Sequence, residues 1–304
     1  MAHQSPKRRP LILIVILFLI FSAGTFFALK FFSKKDEVPI QEMPVEEEKE
    51  EIKKPEIINL QSIVDDWTKT LRLGKASVGV YIYDLDNEVE LATFSEDERF
   101  QTASLYKLFV VYEGYREVEA GELDPEKVIY GGYTVQKCLD LAIRQSHSGC
   151  AETLHSLIGR DKLANVILSD FNLKNSSAAG LYSTPKEIAE MMHIYYMHEN
   201  LSENSWNLIK DSMLNQPPTN NGLCAGACDW RQGLPSGFSA ASVYNKVGWQ
   251  GNGDGTWYIY ADAAIVELLD HHYIISVMAN WVYPSEIANL GKSIESTVIS
   301  SSNN

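Results

Sequence analysis

The sequence predicts an α+β fold, an α/β sandwich in which strands from both ends of the chain complete one antiparallel sheet beside a mostly helical middle. Three observations carry that expectation: a helix and strand hairpin over residues 60–94, helical apolar spacing from Ser104 to about Met213, and three alternating strands before a closing helix. The first helix spans Leu60 to Leu73, with apolar residues at Leu60, Ile63, Val64, Trp67 and Leu71. Ser77 to Tyr83 alternates as a strand, Asp84-Leu85-Asp86-Asn87 supplies turn residues, and Val89 to Phe94 returns. At the other end the strands are expected over Ala241 to Val247, Tyr258 to Val266 and Tyr273 to Trp281, and the last helix over Pro284 to Ser300. His271-His272 falls in the polar stretch between the last two strands and reads as an exposed turn.

Upstream of this domain, Lys7, Arg8 and Arg9 precede an uncharged run from Leu11 to Leu29, which Lys30 ends. Its length, at about 1.5 Å per helical residue, nearly matches a hydrocarbon core of roughly 30 Å. A cleaved signal peptide with Ser22-Ala23-Gly24 near the cut is the alternative, but Thr25 to Leu29 resumes the apolar run, which favours an uncleaved anchor. Basic residues flank both ends equally, so orientation is read from the large domain that follows. The expected organisation is a cytoplasmic tail and transmembrane anchor over 1–35, an acidic Pro-containing linker over 36–56, and an extracytoplasmic domain over 57–304, in a single-pass protein of the cell membrane. Forty acidic against 26 basic residues give a net charge of −14. That balance argues against nucleic acid as a partner, because phosphate binding needs Lys and Arg.

Ser104-Leu105-Tyr106-Lys107 opens the apolar run Leu108-Phe109-Val110-Val111-Tyr112. On a helix, positions i and i+3 share a face, so a Ser hydroxyl near the positive helix end would have a Lys amine one turn along to take its proton. The amine can do so only if desolvation or a neighbouring cation lowers its pKa. Spacing alone is weak, since Ser183-Thr184-Pro185-Lys186 repeats it. There, Thr184 as N-cap, Pro185 at N1 and Glu187 at N3 read as a capping-box helix start.

Context separates the two pairs. Ser104-x-x-Lys107 is followed by Ser146-His147-Ser148 and then by Lys246-Val247-Gly248 on an expected strand. With Phe100 to Ala103 before the first motif, Tyr133-Thr134-Val135 before the second and Arg231-Gln232-Gly233-Leu234-Pro235 before the third, the chain resembles the penicillin-recognising serine hydrolases, most closely the class A beta-lactamase-like branch. The likeness covers about Leu60 to Ser300.

The resemblance implies that Ser104 attacks a carbonyl and is acylated, Lys107 accepts its proton, Ser146 relays a proton to the leaving nitrogen, and Lys246 favours a substrate carboxylate. It implies an oxyanion hole from the backbone N–H groups of Ser104 and Trp249, with Ser148, Gly248 and Trp249 lining the substrate. The substrate would be a beta-lactam or a peptidoglycan stem peptide of the D-Ala-D-Ala type, with no cofactor and no metal. Three departures accompany the likeness. Ser148 stands where Asn is usual and His147 where Asp is usual. Val247 replaces a Thr or Ser that would help bind a carboxylate. No Glu occurs between Arg160 and Thr184, where only Asp161 and Asp170 are acidic, so the residue that usually activates the deacylating water is missing from that loop. A true beta-lactamase using another base, and an inactive cell-wall binding protein, are the alternatives. His147 is expected to make a structural hydrogen bond rather than act as a base.

Cys138, Cys150, Cys224 and Cys228 allow three disulfide pairings, and a C-x3-C with two distant Cys could also bind zinc. Export favours disulfides.

Overall fold

The expected first helix and hairpin form as α1 (Gln61–Thr70), β1 (Ser77–Asp84) and β2 (Val89–Phe94). Asp84 makes the hairpin turn because its Oδ1 accepts the N–H groups of both Asp86 and Asn87 at 3.0 Å. The computed structural model describes residues 57–71, 76–177, 179–217, 230–251 and 257–302. The apolar run 11–29, the linker 36–56, Cys224 and Cys228 lie outside the described residues.

After the two-residue strand β3 (Phe100–Gln101), a single 3-10 turn over Ala103–Leu105 leads into α2 (Tyr106–Glu119). Lys107 to Tyr115 are all buried, so this helix is enclosed on every side and forms the centre of the helical layer. A small ladder of β4 (Val128–Tyr130) and β5 (Tyr133–Thr134) precedes α3 (Val135–Arg144), capped by the Thr134 hydroxyl, and α4 (Ser148–Ile158). A short α5 (Arg160–Asn165) and one π-helical turn follow, then β6 (Tyr182–Ser183), which pairs with β3. Next come α6 (Pro185–Tyr196), α7 (Glu203–Leu214) and α8 (Leu234–Gly237).

The chain then returns to the sheet as β7 (Ala241–Gly251), β8 (Trp257–Leu268) and β9 (His271–Asn280), and closes with α9 (Pro284–Ser302). The strand order is β2-β1-β9-β8-β7, antiparallel throughout, so the two ends of the domain meet where β1 pairs with β9. Period-two alternation sends Ile274 and Met278 into the core under α2 and α6, and Ile275 and Val277 into a second core under α1 and α9. The predicted class is therefore the observed one. Strand β9 starts two residues earlier than expected: His272 pairs with Glu267 in the ladder and its Nδ1 lies 2.9 Å from Asp86 Oδ1. The His pair is thus strand, not exposed turn.

Cys138 on α3 and Cys150 on α4 form a disulfide, with Cα atoms 4.9 Å apart. It ties together the two helices that bracket the Ser146 segment. Replacing both by Ser, in a loop with a sequence separation of 12, is expected to remove about 3 kcal/mol in urea unfolding.

Candidate active site

Four side chains from three separate stretches of the chain converge. Ser104 stands in the 3-10 turn before α2, and Lys107 one turn on, with its Nζ 3.0 Å from Ser104 Oγ. Lys107 also reaches the Ser146 carbonyl at 2.6 Å, Ser146 Oγ at 3.2 Å and Ser148 Oγ at 3.4 Å. From β7, Lys246 Nζ approaches the same Ser146 Oγ at 2.9 Å and its neighbour's carbonyl, Val247 O, at 2.5 Å. Ser146 is therefore held between two amines. Both lysines are fully buried, at 0% and 1% exposure, whereas Ser104 is half-exposed and reachable.

The backbone is bent to achieve this. Ala103, next to Ser104, has φ 43 and Ser146 has φ 51. A non-glycine residue in the left-handed region costs about 1–2 kcal/mol, and such strain collects at functional sites. Gly248 on β7 packs directly against the Ser104 turn: a Cβ there would meet the Thr102 carbonyl, and would stand 2.9 Å from Leu105 N and 3.0 Å from Ser104 N. The missing side chain brings the edge strand against the Ser104 amide, the pair of segments from which an oxyanion hole is expected. The Trp249 indole turns away from that contact and stacks on Trp230, with centroids 5.7 Å apart.

Burial sets the electrostatics. It pushes the Lys107 amine down to about 8, opposed by the nearby Glu152 carboxylate. It pushes Lys246 well below the ordinary lysine value, helped by the charge of Lys107 and opposed by Asp262. Asp262, fully buried on β8, is itself raised to about 7 by burial, against hydrogen bonds from Asn245 and the Leu234 N–H and the charge of Lys246. Sequence reading missed Asp262, because an acid within an apolar strand shows its partners only once the sheet is formed.

The departures from the usual motif acquire reasons. His147 caps α4, its Nδ1 accepting the Cys150 N–H at 3.1 Å, so it makes the structural hydrogen bond expected of it. Val247 is 1% exposed in the core on the other face of the sheet, packed with the layer of α1 and α9. At that position a hydroxyl would be buried in apolar surroundings. The second Ser-x-x-Lys is structural: Ser183 is fully buried and its Oγ lies 2.8 Å from Ser176 Oγ. Thr184 caps α6 as expected, but the capping box is only half made, since the Glu187 carboxylate instead accepts from Asn175 N and Ser176 Oγ, both at 2.7 Å.

Two substitutions check this construction. Gly248→Ala forces its methyl against backbone that cannot yield, and is expected to cost about 1–3 kcal/mol in chemical unfolding and to impair Ser104 reactivity. His147→Ala is expected to lose about 1 kcal/mol, while His147→Asp, itself a good cap, keeps stability close to that of the parent.

The sequence model of the beta-lactamase enzyme family matches residues 62–298. No curated protein sequence matches. Among solved structures, a PBP-A variant in acyl-enzyme complex with penicillin G superposes with TM-score 0.67 at 17% identity, over 81% of this chain and 99% of that one. TLA-3 extended-spectrum beta-lactamase gives TM-score 0.66 at 17% identity, over 78% and 98%. A class A beta-lactamase from Bacteroides cellulosilyticus DSM 14838 gives 0.64 at 17% identity, over 78% and 97%. At these identities the structures establish a common fold, and together with the family match over most of the domain they place the chain in the beta-lactamase enzyme family, as a beta-lactamase-like serine hydrolase.

Proposed function

We propose that this protein is a membrane-anchored, extracytoplasmic serine hydrolase that is acylated at Ser104 and acts on D-Ala-D-Ala-type cell-wall peptides or on beta-lactam rings. The observation that carries the reading is the buried Lys107 amine, 3.0 Å from Ser104 Oγ and pushed down to about 8. As the free base it accepts the Ser104 proton while Oγ bonds to the substrate carbonyl carbon. The oxyanion is received by the N–H groups of Ser104 and Trp249, each such donor being worth about 2.7–4 kcal/mol. The carbon–nitrogen bond then breaks, the nitrogen takes the Ser146 hydroxyl proton, and the two lysines resupply it.

Substrate choice follows from the same groups. The Lys246 amine, beside Ser146, can donate a hydrogen bond toward a carboxylate, which a penicillin and a D-Ala terminus both carry, and a bound anion there would in turn favour its charged form. The PBP-A variant solved as a penicillin G acyl-enzyme shows that this fold, in that protein, accommodates such an adduct. Attachment rests on the uncharged run from Leu11 to Leu29, and the charged segment 36–56 supplies reach from a membrane to the domain.

Intact-mass spectrometry after brief exposure to a penicillin is expected to show one covalent adduct on the parent and none on Ser104→Ala. An unmodified parent with the drug untouched would instead indicate a binding protein. The acylation rate should also track the free amine. Below about 8 the Lys107 amine is mostly protonated, so the rate is expected to rise about tenfold per pH unit and then level off above that value. A rate already flat between pH 6 and 8 would remove Lys107 from the base role.

A further inference from the structure

Hydrolysis of the acyl-enzyme needs a base for water, and the loop between Arg160 and Thr184 offers only Asp161 and Asp170. Asp170 is paired with Arg116 at 3.4 Å, and Asp161 is exposed in the first turn of α5. Helix α4 presents a different acid. Ser148, Glu152 and His155 lie at i, i+4 and i+7, a single helical stripe. Both neighbours of Glu152 on that stripe meet the nucleophile's helix: Ser148 Oγ is 3.4 Å from Lys107 Nζ, and the His155 ring stands edge-on to Tyr106 at 6.5 Å. Glu152 is therefore set over the Tyr106–Lys107 turn, and helical side chains lean toward the helix N-terminus, here toward Ser148. Among the described residues no hydrogen bond or ion pair engages its exposed carboxylate, yet its charge acts on both Lys107 and Tyr106.

Resting on the acyl-enzyme reading above, we propose that Glu152 is the catalytic base that activates water for deacylation of Ser104. A water proton passes to the Glu152 carboxylate as the water oxygen bonds to the acyl carbon. The bond from that carbon to Ser104 Oγ breaks, and Oγ leaves as a hydroxyl with a proton delivered from Glu152 through the Lys107 amine. Water is the only co-reactant. The role usually filled from the loop is thus moved to the helix that begins at Ser148.

The test is quenched-flow mass spectrometry of the full chain with a penicillin, comparing the parent with Glu152→Gln. Acylation is expected to stay within about threefold while deacylation slows by about 100-fold or more, the usual worth of a general base. Added formate is expected to restore part of the deacylation rate to Glu152→Ala, which a structural role would not allow. Equal deacylation in the parent and Glu152→Gln, or acylation falling as far as deacylation, overturns the inference while leaving Ser104 as nucleophile. A parent that never acylates overturns the acyl-enzyme reading and this inference with it.

Discussion

Two lysine amines buried around one serine hydroxyl are the constraint on which the rest of this structure depends. Lys107 and Lys246 approach Ser146 Oγ at 3.2 and 2.9 Å, and neither is exposed to water. Burying two ammonium charges side by side is costly, and the molecule meets that cost by lowering their basicity rather than by pairing each with an acid. Asp262 beneath the sheet and Glu152 above the helix oppose the shift without abolishing it. The outcome is an amine beside Ser104 whose basicity is lowered to about 8, so that a usable share of it is free base near neutral pH.

Holding these groups requires elements far apart in sequence to be fixed against one another. Lys107 belongs to the enclosed helix α2, Ser146 to the bend between α3 and α4, and Lys246 to the sheet edge. The bend is secured by the Cys138–Cys150 disulfide and by His147, which caps α4 within the motif itself. The edge strand is secured by Gly248, whose lack of a side chain lets β7 meet the Ser104 turn. The loop ahead of α6 is tied to the same turn, since Thr102 Oγ1 donates to the Gly180 carbonyl at 2.6 Å and Glu187 orders residues 175–176. Together these contacts hold the strained backbone in place around the site.

Much of this was legible in the sequence because period and order survive folding. The hairpin of Ser77 to Tyr83 with Val89 to Phe94 and the four polar site residues were recoverable from alternation and from motif order, and the structure brings Ser104, Lys107, Ser146 and Lys246 together. Strand ends were not legible, because pairing with Glu267 and contact with Asp86 draw His272 into β9 despite its polarity. Nor was the side of the sheet that Val247 faces, which depends on the register of β7 on β8. Four cysteines admitted three pairings until α3 and α4 were placed. Glu152 was hidden for the same reason: its relation to Lys107 exists only once α4 lies along α2.

The most direct measurement of the central claim is the titration of the Lys107 amine itself, by NMR of protein carrying labelled lysine, with the signal assigned by its loss in Lys107→Arg. A transition at about 8 is expected, separated from solvent-exposed lysines that titrate near 10.4. A Lys107 signal titrating with those exposed lysines would contradict it.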